Sequence, residues 1–528
     1  MGLRKTIIRP LGVIERIFQV NHDIDNYYNV GFLIRYKVPI TFPFHISKFS
    51  ITTELKNDIL NVLYPTLEQV ILDHAELAVC FTDLETSNPK FIRLQKIDLS
   101  RLIRFEVIND DKDIETLLEK EHSKKFDVED QTLPLWRIVV GIKSSKKFDP
   151  NDPKNWNLII GLVWHHSVAD GRSSLAFYAT FNEFLLKELS KNNPSQLKSV
   201  ITLPKKSKLP FNKTVEQCLC TRPSLFYLIK EGIKEFVLPT TIKMKLTKGC
   251  WLGDTPRFSI PINTTKTFLY SIASKDLKSL VKLSKKHHTT ITGLFNVSVL
   301  FSAYHHFILA SNVDDKLSKN AKKLEPYDSI NLCTNINLRP YTTPEVPWTQ
   351  MGLYASENAH VYKYPRPKND DKYPELDFWK MSAECREQII KKGIPDSIER
   401  IGITKLIPKG KNAFENTLMK KVNDDIMGRE FSISVSNLGK FQKVSSGSKR
   451  NSFVNKWKTY DLIFTQSADT FSSGLVISIV SYEKRLTFTI SVQAGAVDYK
   501  KIVGFGKGIV KCLSTVARND NVTLQDLA

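Results

Sequence analysis

In this 528-residue chain, one predicted strand passes directly into a polar turn and then into a helix, an arrangement that favours an α/β fold. Residues 158–163 are apolar (LIIGLV), residues 164–174 read WHHSVADGRSS, and a pattern rich in Leu and Phe continues over residues 173–191. A short apolar run bounded by turn residues is typical of a strand, and the pattern after it is typical of a helix. The turn between them is a place where functional side chains are often found.

Strand and helix patterns also alternate through the rest of the chain, without an internal repeat. Residues 51–64 have a helical apolar stripe, and Pro65 is expected to end that helix because proline is disfavoured in helix interiors. A second short helix would then begin at Pro65. The other predicted elements are a helix at 292–310 and strands at 136–142, 156–164, 268–272, 431–436, 474–482 and 486–494. The alternation predicts an α/β protein.

Composition excludes several classes of protein. Hydrophobic residues make up 41% of the chain, which excludes a mainly disordered protein. The seven cysteines contain no C-x-x-C pair, so neither a disulfide framework nor a zinc knuckle is expected, and a reducing compartment fits best. No apolar stretch of about 18 residues and no signal-peptide pattern is found, so we expect a protein that neither spans a membrane nor is secreted.

The formal net charge of +21 suggests an anionic partner, which could be nucleic acid, an acidic lipid surface or a phosphorylated cofactor. Part of the excess is local, because eleven basic and only three acidic residues lie between Ser195 and Cys250. A solvated lysine-rich surface explains this equally well. No helix-turn-helix, zinc or RNA-binding aromatic motif is found, so we do not expect nucleic acid to be the partner.

The polar turn contains the residue types of a general base and its support. An imidazole such as that of His166 can accept and return a proton near neutral pH, and Asp170 can anchor the turn that orients it. Gly171 would allow a sharp bend in the chain. An isolated H-x-x-x-D is nevertheless common, and its Asp often only caps a helix. No further His or Cys with ligand spacing is found beside the turn, so we expect no metal site.

Four segments together resemble the coenzyme A-dependent acyltransferase superfamily. Residues 165–171 resemble its HHxxxDG motif, 335–340 (NINLRP) its Asn-Leu-Arg-Pro element, 434–439 (SVSNLG) its Ser-Asn-x-Gly strand, and 134–137 (PLWR) the start of an adjacent strand. The strongest resemblance is to the fungal alcohol acetyltransferase family and begins at the N-terminal RPLG. The plant subgroup's Asp-Phe-Gly-Trp-Gly signature is absent from the sequence.

This resemblance implies a two-lobed α/β fold like that of chloramphenicol acetyltransferase. Each lobe would be a mixed β-sheet flanked by helices, with an active-site channel at their junction. Together with the change in composition after about residue 191, it predicts an N-terminal lobe over 1–215, a connection over 216–262 and a C-terminal lobe over 263–528. Acetyl-CoA would enter the channel from one mouth and the acceptor from the other.

The resemblance also implies roles for individual residues. His166 would be the general base that activates an acceptor hydroxyl for direct attack on acetyl-CoA, while its neighbour His165 would be structural. Ser436 or Asn437 would donate a hydrogen bond to the oxyanion, although a structural turn at the end of the strand is an alternative for both.

Charged residues have implied roles as well. Asp170 would organise the loop through a buried ion pair with Arg339 rather than transfer protons. Lys440 and Lys443, with residues 449–450, are candidates for contacts with the coenzyme A phosphates, but a solvated loop explains these basic residues equally well.

The acceptor and the location of the protein stay open. An alcohol hydroxyl would give an acetate ester, and the alternatives are an amine of a sphingoid-like base or a sterol hydroxyl. Residues 225–238 mix an apolar face with lysines, a pattern that suits an acidic bilayer or lipid-droplet surface, or else packing between the lobes. The resemblance implies association with the endoplasmic reticulum or lipid droplets. We expect a monomeric, intracellular enzyme; a non-catalytic basic protein that binds membranes or nucleic acid is the remote alternative.

Overall fold

The computed structural model describes residues 6–38, 51–143, 156–191, 198–204, 211–219, 223–232, 249–260, 263–309, 327–365, 373–407, 410–423, 427–441, 457–520 and 523–527. Strands in these ranges are β1 (Thr6–Pro10), β2 (Val30–Lys37), β3 (Val79–Thr82), β4 (Lys90–Arg93), β5 (Lys96–Asp98), β6 (Ile103–Ile108), β7 (Trp136–Lys143), β8 (Leu158–Trp164), β9 (Val200–Thr202), β10 (Thr265–Ile272), β11 (Ser329–Asn337), β12 (Ala355–Lys363), β13 (Phe431–Phe441), β14 (Lys458–Gln466), β15 (Ser473–Tyr482) and β16 (Arg485–Gln493). Helices are α1 (Val13–Asp23), α2 (Thr53–Asp73), α3 (Asp111–His122), α4 (Ser173–Leu189), α5 (Val215–Cys218), α6 (Leu225–Gly232), α7 (Ser274–Lys286), α8 (Ile291–Ala303), α9 (Phe378–Gln388), α10 (Ile394–Thr404), α11 (Lys411–Asn423) and α12 (Tyr499–Val516).

Two mixed β-sheets form the centres of two lobes. The first sheet has the strand order β14-β2-β8-β7-β6, in which only β6 and β7 run parallel. The second has the order β10-β16-β15-β13-β11-β12, with β13 parallel to both of its neighbours. Two smaller sheets have the orders β1-β4-β3 and β5-β9. The predicted α/β class with two lobes is therefore confirmed.

Each large sheet has its own apolar core. All seven residues of β8 are buried, as its apolar sequence predicts, and Leu162 shares a core with Leu63 of α2 and Phe181 of α4. The second core joins Ile433 of β13 to Phe505 of α12. Burial of each such side chain contributes roughly 1.5–3 kcal/mol. The first core also includes Leu438 of β13 and Tyr482 of β15, so the two lobes pack against each other as well as around their own sheets.

The predicted strands and two of the predicted helices are confirmed within a few residues. The strands correspond to β7, β8, β10, β13, β15 and β16, and the helices to α4 and α8. These segments were recognisable because each buries a nearly continuous apolar run between polar turns. Local sequence therefore determines most of the elements that surround the motif turn.

The prediction that Pro65 ends a helix is wrong. The single helix α2 runs from Thr53 to Asp73 with Pro65 inside it. Its apolar stripe is buried on both sides of the proline, from Leu55 to Val70. A proline inside a helix costs roughly 3 kcal/mol, whereas each buried Leu or Val contributes about 1.5–3 kcal/mol. The free energy gained by burying the continuous apolar stripe of α2 outweighs the cost of the hydrogen bond that is lost at Pro65.

One strand from late in the sequence lies in the first sheet. β14 belongs to the range predicted for the C-terminal lobe, yet it pairs along its whole length with β2, from Lys458 opposite Lys37 to Gln466 opposite Val30. The chain therefore returns from the second lobe to complete the first sheet. The predicted division into 1–215, 216–262 and 263–528 stays a prediction, and residues 220–222, 233–248 and 261–262 of the connection lie outside the described residues.

Candidate active site

The motif turn connects the end of β8 to the start of α4, as the sequence predicts. The indole nitrogen of Trp164 donates to the carbonyl oxygen of Ala169 at 2.9 Å and closes the turn. An Asp170 carboxylate oxygen accepts from the backbone amide and the hydroxyl of Ser173, both at 3.0 Å. These bonds stabilise the first turn of α4, where backbone amides otherwise lack partners.

Gly171 is required for close packing rather than for an unusual backbone angle. A Cβ atom at this position would lie 2.7 Å from Cζ of Phe464 and 2.9 Å from Cδ2 of Leu438. Its φ angle is not in the left-handed region. The close approach of β13 and β14 to the turn adds a steric reason for glycine at this position, and the expected sharp bend stays a prediction.

Asp170 and Arg339 form the predicted buried ion pair. Nη1 and Nη2 of Arg339 lie 2.7 and 3.1 Å from the two carboxylate oxygens, and the side chains are 3% and 2% exposed. Burial alone would raise the pKa of Asp170, but the Arg339 guanidinium and hydrogen bonds from Tyr354 and Ser173 hold it below its usual value. Asp170 is thus an ionised, fully engaged carboxylate, which suits an organising group.

The ion pair also connects the two lobes. Arg339 follows β11 of the second sheet, whereas Asp170 follows β8 of the first. The carbonyl oxygen of Gly352 accepts from the backbone amide of Asp170, the hydroxyl of Ser173 and Nη2 of Arg339, at 3.0, 2.8 and 3.2 Å. The motif turn is therefore fixed at the lobe junction by several independent bonds.

His166 is a buried imidazole that lies against an aromatic ring. Phe18 of α1 stacks on it with ring centroids 3.9 Å apart and an interplanar angle of 10°, and Tyr27 lies 5.5 Å away. Burial lowers the pKa of His166 to about 4, although Asp170 and nearby backbone groups act in the opposite direction. Within the described ranges, Nδ1 of His166 has no hydrogen-bond partner. The ring is therefore neutral at pH 7 and able to accept a proton.

Helix α1 carries Phe18 and is itself attached to the motif turn. The Ser167 hydroxyl donates to the backbone carbonyl of Glu15 at 2.7 Å. The Glu15 carboxylate accepts from Arg9 at 2.7 and 2.6 Å and from the backbone amide of Gly12 at 2.6 Å. The sequence analysis used Arg9 and Gly12 only as part of the RPLG resemblance and missed Phe18. The sequence signal that could have identified Phe18 is its position three residues after Glu15. This spacing places the two side chains on neighbouring parts of one helix surface.

His165 is enclosed by aromatic groups. It is fully buried, and its Nδ1 accepts from the backbone amide of Ser167 at 3.1 Å. The rings of His22 and Phe81 lie 4.6 and 5.3 Å from its own. Burial lowers the pKa of His165 well below its usual value, so the ring is neutral. These contacts suit the predicted structural role, which stays a prediction.

The two predicted oxyanion donors differ in their partners. Asn437 donates from Nδ2 to the Thr292 hydroxyl at 3.0 Å and accepts from the backbone amide of Gly439 at 2.8 Å. Gly439 has a φ of 78°, a left-handed value that glycine adopts easily. Ser436 lies buried in β13, opposite Ser478 of β15. Because the side chain of Asn437 already holds a turn, Ser436 is the better candidate donor.

The basic residues proposed for coenzyme A are only partly described. Lys440 is exposed at the end of β13 and lies opposite Ser481 of β15. Lys443 and residues 449–450 lie outside the described residues. A contact between these side chains and the coenzyme A phosphates stays a prediction.

The predicted membrane-facing segment is also described in part, over residues 225–232 of 225–238. Leu225, Phe226 and Ile229 of α6 are 73%, 79% and 52% exposed, while Tyr227 is buried. Within the described part of the chain, no helix has the length and apolarity needed to cross a bilayer. Among the same residues, no group of three His, Cys, Asp or Glu side chains is arranged to hold a metal ion.

The chain matches a family model described as "Alcohol acetyltransferase" over residues 44–503. It is 24% identical over 202 residues to a probable alcohol acetyltransferase of Aspergillus fumigatus. This alignment covers 37% of this chain and 40% of that protein. A probable alcohol acetyltransferase of Fusarium pseudograminearum is 20% identical over 500 residues, or 91% of this chain and 89% of the relative. The chain spans about half the length of the first curated relatives that it matches.

A solved structure of similar fold is the trichothecene 15-O-acetyltransferase of Fusarium sporotrichioides. It aligns with a TM-score of 0.64 at 11% identity, over 97% of this chain and 96% of that chain. At this identity the similarity concerns the fold, which agrees with the two mixed sheets described above. The family match extends over most of the chain and includes the motif turn, the Arg339 segment and β13. The chain therefore belongs to the alcohol acetyltransferase family.

Proposed function

We propose that the protein transfers the acetyl group of acetyl-CoA to the hydroxyl of a small-molecule alcohol. The observation that carries this proposal is the geometry around His166, a buried imidazole that stacks on Phe18 at the lobe junction and whose loop is fixed by the Asp170–Arg339 ion pair. Burial lowers the pKa of His166, which favours the neutral ring at pH 7. Such a group can accept a proton without first losing one. Membership of the alcohol acetyltransferase family supports acetyl-CoA as donor and an alcohol as acceptor.

His166 accepts the hydroxyl proton while the alcohol oxygen attacks the carbonyl carbon of the thioester. The resulting tetrahedral intermediate carries its negative charge on the former carbonyl oxygen, where the Ser436 hydroxyl donates a hydrogen bond. The carbon–sulfur bond then breaks, and His166 returns its proton to the sulfur of coenzyme A. The products are an acetate ester and free coenzyme A, and no acyl group is attached to the enzyme.

Asp170 is a positioning residue in this mechanism. Its carboxylate is held by Arg339 on both oxygens, so it does not exchange protons with His166. It instead fixes the turn, while the stacked Phe18 ring fixes the plane of the imidazole. Restricting the base in this way reduces the entropy lost on reaching the transition state.

The test replaces His166 by Ala and measures thiol release from acetyl-CoA with a panel of alcohols, amines and sterols. Loss of a general base should lower turnover by about 10²- to 10⁴-fold. Phe226→Ala, at an exposed position on α6, serves as the control and should keep full turnover. Undiminished turnover in the His166→Ala variant would refute the mechanism. Transfer to amines alone in the panel would refute the proposed acceptor.

A further inference from the structure

Three hydrogen-bonded polar side chains cross the lobe junction beside His166. Tyr27 lies between α1 and β2, and its ring centroid is 5.5 Å from that of His166. The Tyr27 hydroxyl donates to Oε1 of Gln466, the last residue of β14, at 3.0 Å. Nε2 of Gln466 donates in turn to the hydroxyl oxygen of Ser478 on β15, at 2.9 Å. We call Tyr27, Gln466 and Ser478 the polar relay, and it leads from the ring beside the proposed base to the second sheet.

All three members of the polar relay are buried, and their bonds run in one direction. Burial raises the pKa of the Tyr27 hydroxyl well above its usual value, so this group keeps its proton at pH 7 and stays a donor. Hydrogen bonds that follow one another in a protein interior polarise each other. The hydroxyl of Ser478, which accepts the last of these bonds, is therefore a stronger donor than an isolated serine.

Ser478 lies next to the proposed oxyanion donor. It is directly opposite Ser436 in the parallel pairing of β15 with β13. Val435 and Ile477 belong to the second core, so the alternating residues Ser436 and Ser478 point to the other face of the sheet, toward the first lobe. Neighbouring strands lie about 4.8 Å apart, and a hydroxyl can accept one hydrogen bond while it donates another. Ser478 can thus accept from Gln466 and donate to its neighbour on β13.

We propose that the polar relay orients the oxyanion donor, because the Ser478 hydroxyl donates to Oγ of Ser436 and turns the Ser436 proton toward the oxyanion. The catalytic role of Ser436 rests on the proposed function. No proton moves along the relay, since each donor keeps its own hydrogen. A donor that is oriented before the reaction stabilises the developing charge without a reorganisation cost. Tyr27, Gln466 and Ser478 are therefore positioning residues that act through Ser436.

The segment that carries Tyr27 is also held by bonds outside the polar relay. The Ser467 hydroxyl accepts from the backbone amides of Tyr28 and Asn29 at 2.9 and 3.2 Å, and the Ser467 amide donates to the carbonyl oxygen of Asn29 at 3.0 Å. Oδ1 of Asn26 accepts from the backbone amide of Phe471 at 2.8 Å. Loss of one relay hydroxyl should therefore leave the two segments together and the protein folded.

The first test is Tyr27→Phe, which keeps the ring beside His166 and removes only the hydroxyl. Loss of a whole oxyanion donor lowers kcat by about 10²- to 10³-fold, so loss of its orientation should lower kcat by about tenfold. The KM for acetyl-CoA should stay unchanged, because the relay acts only in the transition state. Tyr28→Phe is the matched control. It removes a buried tyrosine hydroxyl that donates to Asp25 at 2.8 Å, outside the relay, and should keep wild-type kcat.

The second test separates orientation of Ser436 from a general structural role. Tyr27→Phe is measured in the wild type and in Ser436→Ala, where the donor is already absent. In the Ser436→Ala background it should change kcat by less than about twofold, because residues that act as one unit are not additive. An equal loss in both backgrounds would overturn the proposal, and so would a wild-type kcat in the Tyr27→Phe single variant.

A crystal structure of the protein tests the last bond of the relay independently of activity. The Oγ atoms of Ser478 and Ser436 should lie about 2.5–3.0 Å apart, as expected for a bond between two hydroxyls. A separation above about 3.5 Å would overturn the proposal, whatever reaction the protein catalyses. A short separation in a protein that acetylates no acceptor would support the bond and remove only the proposed function, so the two failures are distinguishable.

Discussion

Two buried ion pairs of the same chemistry lie in different parts of the molecule. In the first, Arg339 holds Asp170 at the motif turn with distances of 2.7 and 3.1 Å. In the second, Arg35 holds Asp461 with two distances of 2.6 Å. All four side chains are at most 4% exposed. Geometry and burial alone therefore do not distinguish a residue pair of the active site from one of the scaffold.

What each pair connects does distinguish them. Arg35 and Asp461 are direct neighbours on β2 and β14, so their bond adds to strand pairing that already exists. Asp170 and Arg339 belong to the turn after β8 and the segment after β11, which lie in different lobes. The Asp170–Arg339 pair fixes a turn that carries the proposed base, whereas the Arg35–Asp461 pair strengthens one sheet. A change in the Asp170–Arg339 pair should therefore affect catalysis as well as stability.

The two pairs also differ in what would remain after one partner is lost. Arg35 has another carboxylate partner, because its Nη1 lies 2.7 Å from Oδ1 of the exposed Asp111. The other contacts of Arg339 are neutral oxygens, such as those of Ser173 and Gly352. Among the described residues, loss of Asp170 thus leaves a buried guanidinium whose hydrogen-bond partners carry no negative charge, and that is the costlier situation.

The largest expected effect comes from replacing each aspartate in turn. Asp170→Asn should lower the free energy of unfolding by about 3–5 kcal/mol, and Asp461→Asn by less because Arg35 keeps Asp111. In the folded fraction, kcat should fall about 10²-fold for Asp170→Asn, since the base loses its orientation. Thermal denaturation and kcat at saturating acetyl-CoA, measured below both midpoints, separate the two effects.

The comparison fails if both variants lose the same fraction of kcat. That result would mean that the Asp170 pair acts only through general stability. If Asp461→Asn proved the more destabilising variant, the argument from the second carboxylate of Arg35 would be wrong. Circular dichroism of each variant before heating serves as the control for correct folding.

The sequence revealed one of these ion pairs but not the other. Asp170 and Arg339 were paired through the resemblance, which links two recognisable motifs. Arg35 and Asp461 are 426 residues apart, and their contact depends on the register of β2 against β14. Apolar periodicity identifies a strand but not which distant strand it joins. The same limit explains why the stacking of Phe18 on His166 was not predicted, since α1 and β8 meet only in the folded lobe.

The next effect in size concerns Phe18, the ring that stacks on His166. Phe18→Ala should admit water to His166 and raise its pKa from about 4 toward the usual value for histidine. The neutral imidazole is the active form, so wild-type kcat/KM should fall only as the pH approaches 4. In the variant this acid limb should move at least ~1 unit higher.

Turnover at pH 7 should also fall about tenfold in Phe18→Ala, because the imidazole plane is no longer fixed. Phe18→Leu keeps the side chain apolar but lacks the ring. Compared with Phe18→Ala, it should return the pH of the acid limb closer to the wild-type value than it returns kcat. Phe226→Ala removes an exposed phenylalanine from α6 and should change neither quantity. An acid limb that is the same in wild type and Phe18→Ala would show that the ring does not control solvation of His166.

The smallest expected effect tests whether the two ion-pair regions are energetically coupled. Gly171 adjoins Asp170 and packs against Phe464, which lies on β14 three residues after Asp461. In Gly171→Ala, the new Cβ would lie 2.7 Å from the Phe464 ring, so either the turn or β14 must shift, at a cost of about 1–3 kcal/mol. Phe464→Leu in the same chain should recover part of that loss.

A double-mutant cycle identifies whether β14 or the motif turn moves to accommodate the new Cβ atom. If β14 shifts, the effects of Gly171→Ala and Asp461→Asn on the free energy of unfolding should be non-additive by at least ~0.5 kcal/mol, because both act on one strand. If the turn shifts instead, Gly171→Ala should lower kcat and its effect should add to that of Asp461→Asn. The tight bonds of Asp170 to Arg339 and to the backbone amide of Tyr354 resist movement of the turn, so we expect β14 to shift and the first result to be observed. Full additivity together with unchanged kcat would contradict both alternatives and the steric reason given for Gly171.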